Sequence, residues 1–283
     1  MVRFQKLSCP LCEQAFIGVD SPLRCANGHS FDIARQGYVN LLPVQHKKSK
    51  EPGDSKEMVN ARQRFLDSGV YQSIADLFVK NVLTHMSDAA ACSLLDAGCG
   101  EGYYLNALAR QLGQGQQREV ALIGLDISKP AIIAAAKRNK AITWLVGSNK
   151  QLPVLPASLD MIVCMFGFPV YEAFKTALKP GGKILFVEAG ADHLIELRKV
   201  IYPQIREHSL PSLAAAEQQG FGLISRDTLR MGGHVLNQQQ LSDLLVMTPH
   251  LYRASKEGKE AVQKLTELRI TIDIVVRVLQ LKD

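Results

Sequence analysis

Four side chains near the start of the chain have the residue types and the spacing of a metal site. Two cysteines separated by two residues are followed by a third cysteine and then, after three residues, by a histidine: Cys9, Cys12, Cys25 and His29. Pro10 in the first pair and Asn27-Gly28 in the second form tight turns that let both pairs face one ion. Three thiolates and one imidazole form a closed tetrahedral zinc site of the structural kind. Reduced cysteines in a loop are the alternative, whereas a redox Cys-x-x-Cys motif would leave Cys25 and His29 unexplained.

A second chemical motif is a glycine-rich segment that follows a short apolar run. Residues 93–95 predict a buried strand, the segment Asp-Ala-Gly-Cys-Gly-Glu-Gly occupies 96–102, and apolar residues at helical spacing come next. Strand, glycine turn and helix in this order open a nucleotide-binding βαβ unit. Glycines permit the tight turn and let a cofactor approach backbone N–H groups. The sequence therefore predicts cofactor contacts at Gly98 and Gly100.

An acidic residue, Asp126, closes the second predicted strand at 120–125. Its carboxylate can accept hydrogen bonds from both hydroxyls of a ribose, which predicts a cofactor contact. The alternative is that Asp126 is the N-cap of a helix that starts near Pro130. The Gly-x-Gly-x-Gly spacing does not fit the GxGxxG of NAD-type enzymes. With Lys-Pro-Gly-Gly-Lys at 179–183, these features resemble class I S-adenosylmethionine (SAM) methyltransferases.

Composition sets broad limits on the protein. The chain has 283 residues, of which 47% are hydrophobic and 21% charged, as in ordinary globular proteins with one large and one small domain. No apolar run approaches the roughly 20 residues that span a bilayer, and the N-terminus lacks a signal-peptide core, so we expect a cytoplasmic protein. Six cysteines are too few for a disulfide scaffold. The net charge of +6 permits a polyanionic partner without demanding one.

The remaining pattern predicts the elements that must position these residues. Strands are expected at 142–146, 161–165 and 184–188 besides the two above, and helices near 56–68, 74–86, 131–139, 170–178 and 193–207. This alternation predicts an α/β fold whose parallel sheet is covered on both faces. Apolar and polar residues alternate along 268–276. This pattern predicts an antiparallel strand nearer the sheet edge, paired with a strand at 221–231.

A basic tract lies between the cysteine motif and the glycine segment. Residues 47–64 contain three acids and six basic residues, namely Lys47, Lys48, Lys50, Lys56, Arg62 and Arg64. A solvated linker is one interpretation, and a loop that contacts phosphates or gates the substrate is the other; charge alone favours neither.

The cysteine motif, the tract at 37–55 and the glycine segment at 95–104 occur in this order, and together they resemble the RlmA family of 23S ribosomal RNA (guanine-N1)-methyltransferases. The resemblance covers nearly the whole chain. It implies a zinc-binding lobe that helps to hold a 23S rRNA hairpin, a Rossmann-like SAM domain, one modified guanine and a homodimer. We therefore expect a zinc-binding RNA-recognition lobe at 1–40, a basic linker with helices at 41–90, and the methyltransferase domain at 91–283.

The resemblance also implies roles for individual residues. It supports the four zinc ligands above and implies cofactor contacts at Tyr71, at Gly100 with Glu101, and at His193. The alternatives are that Tyr71 belongs to the core, that His193 lies on the surface, and that Glu101 is a turn residue stabilised by a helix N-terminus. Asn149 follows the third strand in a loop that borders the cofactor pocket of this fold, and its amide could pair with the adenine edge.

The loop after the fourth strand, residues 164–169, departs from the family pattern. It lacks the Asn/Asp-Pro-Pro-Tyr sequence of many amino-group methyltransferases, which argues against chemistry at an exocyclic amine. Phe166 or Phe168 could stack on an extruded base or pack in the core. The sequence singles out no catalytic base. A methyltransferase of another RNA position or of a small molecule, and an inactive zinc-containing RNA-binding module, are the alternative functions; the glycine spacing disfavours a dehydrogenase.

Overall fold

Two β-sheets form the framework of the described part of the chain. The structure is a computed structural model that describes residues 1–18, 22–46, 49, 51–87, 89–114, 119–205, 209–248 and 255–282. The small sheet near the N-terminus is antiparallel and contains β1 (Phe16–Ile17), β2 (Leu23–Cys25) and β3 (Ser30–Phe31).

The large sheet contains eight strands in the order β10-β11-β9-β8-β5-β6-β7-β4. They are β4 (Tyr38–Asn40), β5 (Ala91–Ala97), β6 (Glu119–Asp126), β7 (Thr143–Val146), β8 (Leu159–Met165), β9 (Leu178–Ala189), β10 (Phe221–Asn237) and β11 (Glu267–Leu281). The strands from β4 to β9 run parallel, while β11 runs antiparallel to both β9 and β10. The predicted antiparallel strand near the C-terminus is confirmed, and so is its partner.

Helices cover both faces of the large sheet. They are α1 (Lys56–Asp67), α2 (Gln72–His85), α3 (Tyr103–Leu112), α4 (Lys129–Arg138), α5 (Tyr171–Ala177), α6 (Ile195–Ile201), α7 (Ala214–Gln218), α8 (Gln238–Met247) and α9 (Lys256–Gln263). Leu94 and Leu95 are neighbours on β5, yet they belong to two different buried clusters. Since successive strand residues point to opposite faces, each face has its own core. Among the described residues, no helix is long and apolar enough to cross a membrane.

The helix predicted at 193–207 is shorter than expected. It begins at Ile195 because Leu194 has a left-handed backbone with φ of 54°, and it ends at Ile201. Pro203 disfavours helical backbone at the residue before it, which is consistent with this end. His193 therefore lies in the turn before α6, not on the helix.

The N-terminal lobe packs directly on the large sheet. Leu7 forms an antiparallel bridge with Val154, and the N–H of Leu155 donates to the carbonyl of Lys6 over 2.9 Å. Leu7, Phe16 and Leu23 share one buried cluster with residues of β6 and β7. Strand β4, which the sequence assigns to the end of the lobe at residue 40, pairs with β7 in the large sheet.

Candidate functional site

The predicted zinc ligands converge on one point. The ligand atoms of Cys9, Cys12, Cys25 and His29 all lie within 4.8 Å of one another. Nδ1 of His29 lies 3.5 Å from the Cys9 sulfur and 3.4 Å from the Cys25 sulfur, and the sulfurs of Cys12 and Cys25 are 3.6 Å apart. Ligands of a tetrahedral zinc at about 2.1–2.3 Å would be about 3.6–3.8 Å apart, so the cluster fits a structural zinc ion.

Two tight turns bring these ligands together. The N–H of Glu13 donates to the carbonyl of Cys9 over 2.8 Å, which closes the first turn. Cys25 ends β2, and its carbonyl accepts the N–H of Gly28 over 3.0 Å. Gly28 has φ of 81°, a left-handed backbone that glycine adopts without strain and that lets His29 point back toward the cysteines.

A cavity of about 510 Å³ lies beside the glycine loop, at the carboxyl ends of β5, β6 and β8. Ligands of open α/β sheets bind at this end of the strands. Tyr71, Gly98, Gly100, Glu101, Asp126 and His193, all predicted from the sequence, line it. Asn149 does not; its amide nitrogen lies 3.3 Å from the carbonyl oxygen of Ala97, to which it donates.

The glycine loop is shaped by the tryptophan beneath it. Gly98, Gly100 and Gly102 have φ of 106°, 55° and 80°, and all three values favour glycine. A Cβ on Gly102 would also lie 2.6 Å from the ring of Trp144 on β7, so the third glycine allows close packing as well as the turn. The indole N–H of Trp144 donates to Asn139 over 2.6 Å, which fixes the ring.

Asp126 ties β6 to the glycine loop. One carboxylate oxygen accepts the N–H of Gly100 over 2.9 Å and the other accepts the N–H of Ser128 over 2.8 Å. Each oxygen keeps acceptor capacity for one ribose hydroxyl. Burial raises the pKa of Asp126, and these two N–H donors oppose the rise. The N-cap interpretation of Asp126 is wrong, because Ser128 caps α4 and accepts the N–H of Ala131.

Asp96 is a cavity residue that the sequence analysis did not select. It is 2% exposed, and among the described residues its Oδ1 atom has no hydrogen-bond partner. Burial raises the pKa of this carboxyl to about 8, and the neighbouring charge of Asp126 contributes. Such an orphaned acceptor favours a ligand that brings a donor or a positive charge. Its place directly after the predicted strand at 93–95, at the start of the glycine segment, could have identified it.

The side chain of Glu101 points toward α4. Its carboxylate is 1% exposed and lies 2.7 Å from Nη2 of Arg138, although the orientation is not that of a hydrogen bond. Arg138 also donates to Asp67 over 2.8 Å and lies over the ring of Tyr103. Glu101 is thus a buried ion-paired residue, and its backbone N–H, not its carboxylate, is the group suited to bind an anionic ligand.

Tyr71 and His193 form a hydrogen-bonded pair on the cavity wall. The Tyr71 hydroxyl and Nε2 of His193 are 3.2 Å apart, and Nδ1 of His193 accepts the N–H of Asp273 over 3.2 Å. The neutral ring therefore carries its proton on Nε2, which donates to Tyr71. Burial raises the pKa of Tyr71, so its hydroxyl keeps a proton that can be donated to a ligand. Tyr71 is also buried in the core, whereas His193 is a partly buried cavity residue.

The loop after β8 lies at the same cavity. Phe166 is 43% exposed and stacks on the His193 ring with centroids 6.3 Å apart, while Phe168 is 87% exposed. Neither ring packs in the core, so that interpretation is wrong. Phe166 has φ of 50°, a strained backbone for a non-glycine residue.

Helix α1 forms another wall of the cavity. Its residues Met58, Arg62 and Leu66, spaced four apart, line the cavity, and so does Asp54 just before the helix. Arg62 forms an ion pair with Asp54, and Arg64 pairs through two nitrogens with Asp243 of α8 at 2.5 and 3.1 Å. These two basic residues of the tract are therefore held by carboxylates. Lys47, Lys48 and Lys50 lie outside the described residues.

Comparison with known proteins identifies the family. The RlmA N-terminal zinc ribbon matches residues 7–50, and a methyltransferase domain family matches 94–182. A Bacillus subtilis protein named putative 23S rRNA (guanine-N(1)-)-methyltransferase YxjB is 30% identical over 278 residues, 96% of each chain. The chain belongs to the RlmA family.

A second relative and a solved structure are also similar to this RlmA family member. The 23S rRNA (guanine(748)-N(1))-methyltransferase of Streptomyces fradiae is 31% identical over 270 residues, which cover 95% of this chain and 92% of that protein. The crystal structure of the [4+2]-cyclase SpnF superposes with a TM-score of 0.51 at 14% identity, covering 83% of this chain and 99% of that one. A cyclase shares the fold, so the fold alone does not fix the reaction.

Proposed function

We propose that this RlmA family member transfers a methyl group from SAM to N1 of a guanine in a 23S rRNA hairpin. The observation that carries the proposal is the pairing of two sites in one chain. A cavity with a glycine loop and Asp126 suits a nucleoside cofactor, and the Cys9-Cys12-Cys25-His29 cluster suits the zinc of the ribbon that matches residues 7–50. The near full-length relatives are named for this reaction.

The cavity residues have distinct roles in this proposal. Asp126 accepts the ribose hydroxyls, the Glu101 N–H and the Tyr71 hydroxyl donate to the cofactor, and His193 orients Tyr71. When bound, SAM supplies a methyl group on a positively charged sulfur. Asp96 places a carboxylate in the same cavity, where it favours a cationic ligand.

The target base is proposed to enter beside the loop after β8. The exposed rings of Phe166 and Phe168 offer stacking faces for a base taken out of its helix. Guanine N1 must lose its proton, to water or to a basic group, as it accepts the methyl group and S-adenosylhomocysteine leaves. Because N1 is paired in duplex RNA, an unpaired or extruded nucleotide suits this site. Holding the base against these rings would align N1 with the methyl group.

The zinc-binding lobe and the basic tract are proposed to bind the RNA phosphates. Asn149, which lies outside the cavity lining, stays a prediction for the adenine edge. A homodimer also stays a prediction, tested by analytical ultracentrifugation of the purified protein. A 23S rRNA substrate supports a cytoplasmic location.

Methyl transfer in vitro tests the proposal. The purified protein is incubated with SAM labelled in the methyl group and with unmodified 23S rRNA, 16S rRNA or free guanosine. We expect label in 23S rRNA alone, recovered as 1-methylguanosine after digestion, and none with the Asp126→Ala variant. Label on free guanosine or on a different nucleoside would contradict the proposal and favour the alternative substrates.

A further inference from the structure

The cavity wall has more acidic than basic residues. Asp54, Asp96, Glu101 and Asp126 are the acidic residues among the described residues that line it, although the Glu101 carboxylate points away to Arg138. Arg62 is the described lining side chain with a permanent positive charge. Among these described residues, the Arg62 guanidinium is therefore the group that can balance the charge of a carboxylate on the ligand. SAM carries such a carboxylate at the end of its methionine part.

We propose that Arg62 on α1 binds the methionine carboxylate of the cofactor. This inference rests on the function proposed above, because it takes SAM as the ligand. Under this inference, one residue of the basic tract contacts the cofactor. Neither of the earlier interpretations of the tract, a solvated linker or a phosphate-binding loop, requires such a contact.

Arg62 is held in position by two contacts on the protein. Its Nη1 atom pairs with Asp54, and its Nη2 atom donates to the carbonyl of Met247 over 3.3 Å. The side chain is 21% exposed. A guanidinium has five N–H donors in a planar fork, so these contacts leave donors for a carboxylate. Fixing the fork in advance reduces the entropy lost when the ligand binds.

The guanidinium lies above the glycine loop. A Cβ built on Gly100 would be 3.5 Å from Nη1 of Arg62, which places the charge next to the backbone that a cofactor approaches. The loop itself has few donors left, because the N–H groups of Gly98, Cys99, Gly100 and Gly102 all bond within the protein. The Glu101 N–H, the first turn of α3 and Tyr71 can share the carboxylate, but Arg62 supplies the balancing charge.

Binding of three related ligands isolates this contact. SAM and S-adenosylhomocysteine both carry the methionine carboxylate, whereas 5′-methylthioadenosine lacks the amino-acid part. For Arg62→Met we expect the Kd for the first two ligands, measured by calorimetry, to rise by about 10- to 100-fold. The Kd for 5′-methylthioadenosine should not change. Arg64→Met is the matched control on the same helix, since Arg64 pairs with Asp243 instead, and it should bind all three ligands normally.

Two more variants separate the contact from its surroundings. The double variant Asp54→Asn/Arg62→Met removes both charges, so Asp54 is not left as an unpaired carboxylate. If this variant still binds SAM more weakly than wild type, the loss comes from the missing contact between Arg62 and the cofactor. Arg62→Lys keeps the charge without the fork, and an intermediate Kd is expected. Circular dichroism checks that each variant is folded.

Several results would overturn the inference. It fails if Arg62→Met and Arg62→Lys bind SAM as tightly as wild type, if 5′-methylthioadenosine is weakened equally, or if the double variant recovers wild-type affinity for SAM. The proposed function has a separate failure: a wild-type protein that binds none of the three ligands overturns SAM as the cofactor, and this inference with it.

Discussion

The buried carboxyl of Asp96 links cofactor binding to pH. Its pKa is about 8 because of burial and the charge of Asp126, so it is largely protonated at pH 7 in the ligand-free protein. A cationic ligand beside it favours the ionised form and lowers this pKa. SAM binding should therefore release a proton, and the affinity should rise with pH up to about 8 and level off above that value.

Calorimetry in two buffers of different ionisation enthalpy measures this proton release directly. The Asp96→Asn variant is the control, and it should bind SAM with weaker pH dependence because position 96 no longer titrates. Proton uptake on binding, or equal pH dependence in both proteins, would contradict the role given to Asp96.

Gly124 tests the packing beneath the glycine loop. A Cβ at this position on β6 would overlap the buried Trp144 ring and lie 3.0 Å from the Cys99 sulfur. Gly124→Ala should lower the free energy of unfolding by about 1–3 kcal/mol through overpacking, measured by urea denaturation. Gly113→Ala is the matched control, since Gly113 has helical φ and a Cβ there would be 3.5 Å from its neighbours. Equal stability of both variants would show that the Trp144 contact is not tight.

At the scale of elements, the zinc centre and the cofactor cavity are separate sites. No residue of the lobe at 1–40 is among the described residues that line the cavity. We expect Cys12→Ser to lose the single zinc ion and to bind 23S rRNA more weakly, while its Kd for SAM stays at the wild-type value. Elemental analysis, filter binding and calorimetry measure the three quantities. A loss of SAM binding equal to the loss of RNA binding would contradict this separation.

The sequence predicted the elements that depend on local patterns. The strand before the glycine loop and the antiparallel C-terminal strand follow from hydrophobic periodicity, and the zinc ligands follow from spacing within 21 residues. Contacts between distant elements could not be predicted in this way. Arg64 pairs with Asp243, 179 positions away, and Arg62 reaches the carbonyl of Met247. Nothing local distinguishes such ion-paired basic residues from those of a solvated tract.

At the scale of the whole molecule, the net charge of +6 supports an electrostatic contribution to RNA binding. Replacing Lys47, Lys48 and Lys50 by glutamine should weaken 23S rRNA binding and reduce the slope of log affinity against log salt by about 2–3. The control replaces Lys256, Lys259 and Lys264, on and just after α9, and removes the same charge. If both triple variants bind alike, or neither changes the slope, the tract does not contact phosphates.

Primer extension on ribosomal RNA tests the central claim, N1 methylation of a 23S guanine, most directly. A methyl group on guanine N1 blocks base pairing, so reverse transcriptase stops one nucleotide before it. We expect one stop in 23S rRNA from cells that carry the gene, its loss on deletion, and its return with the wild-type gene but not with the Asp126→Ala variant. An unchanged set of stops after deletion would contradict methylation of guanine N1 by this protein.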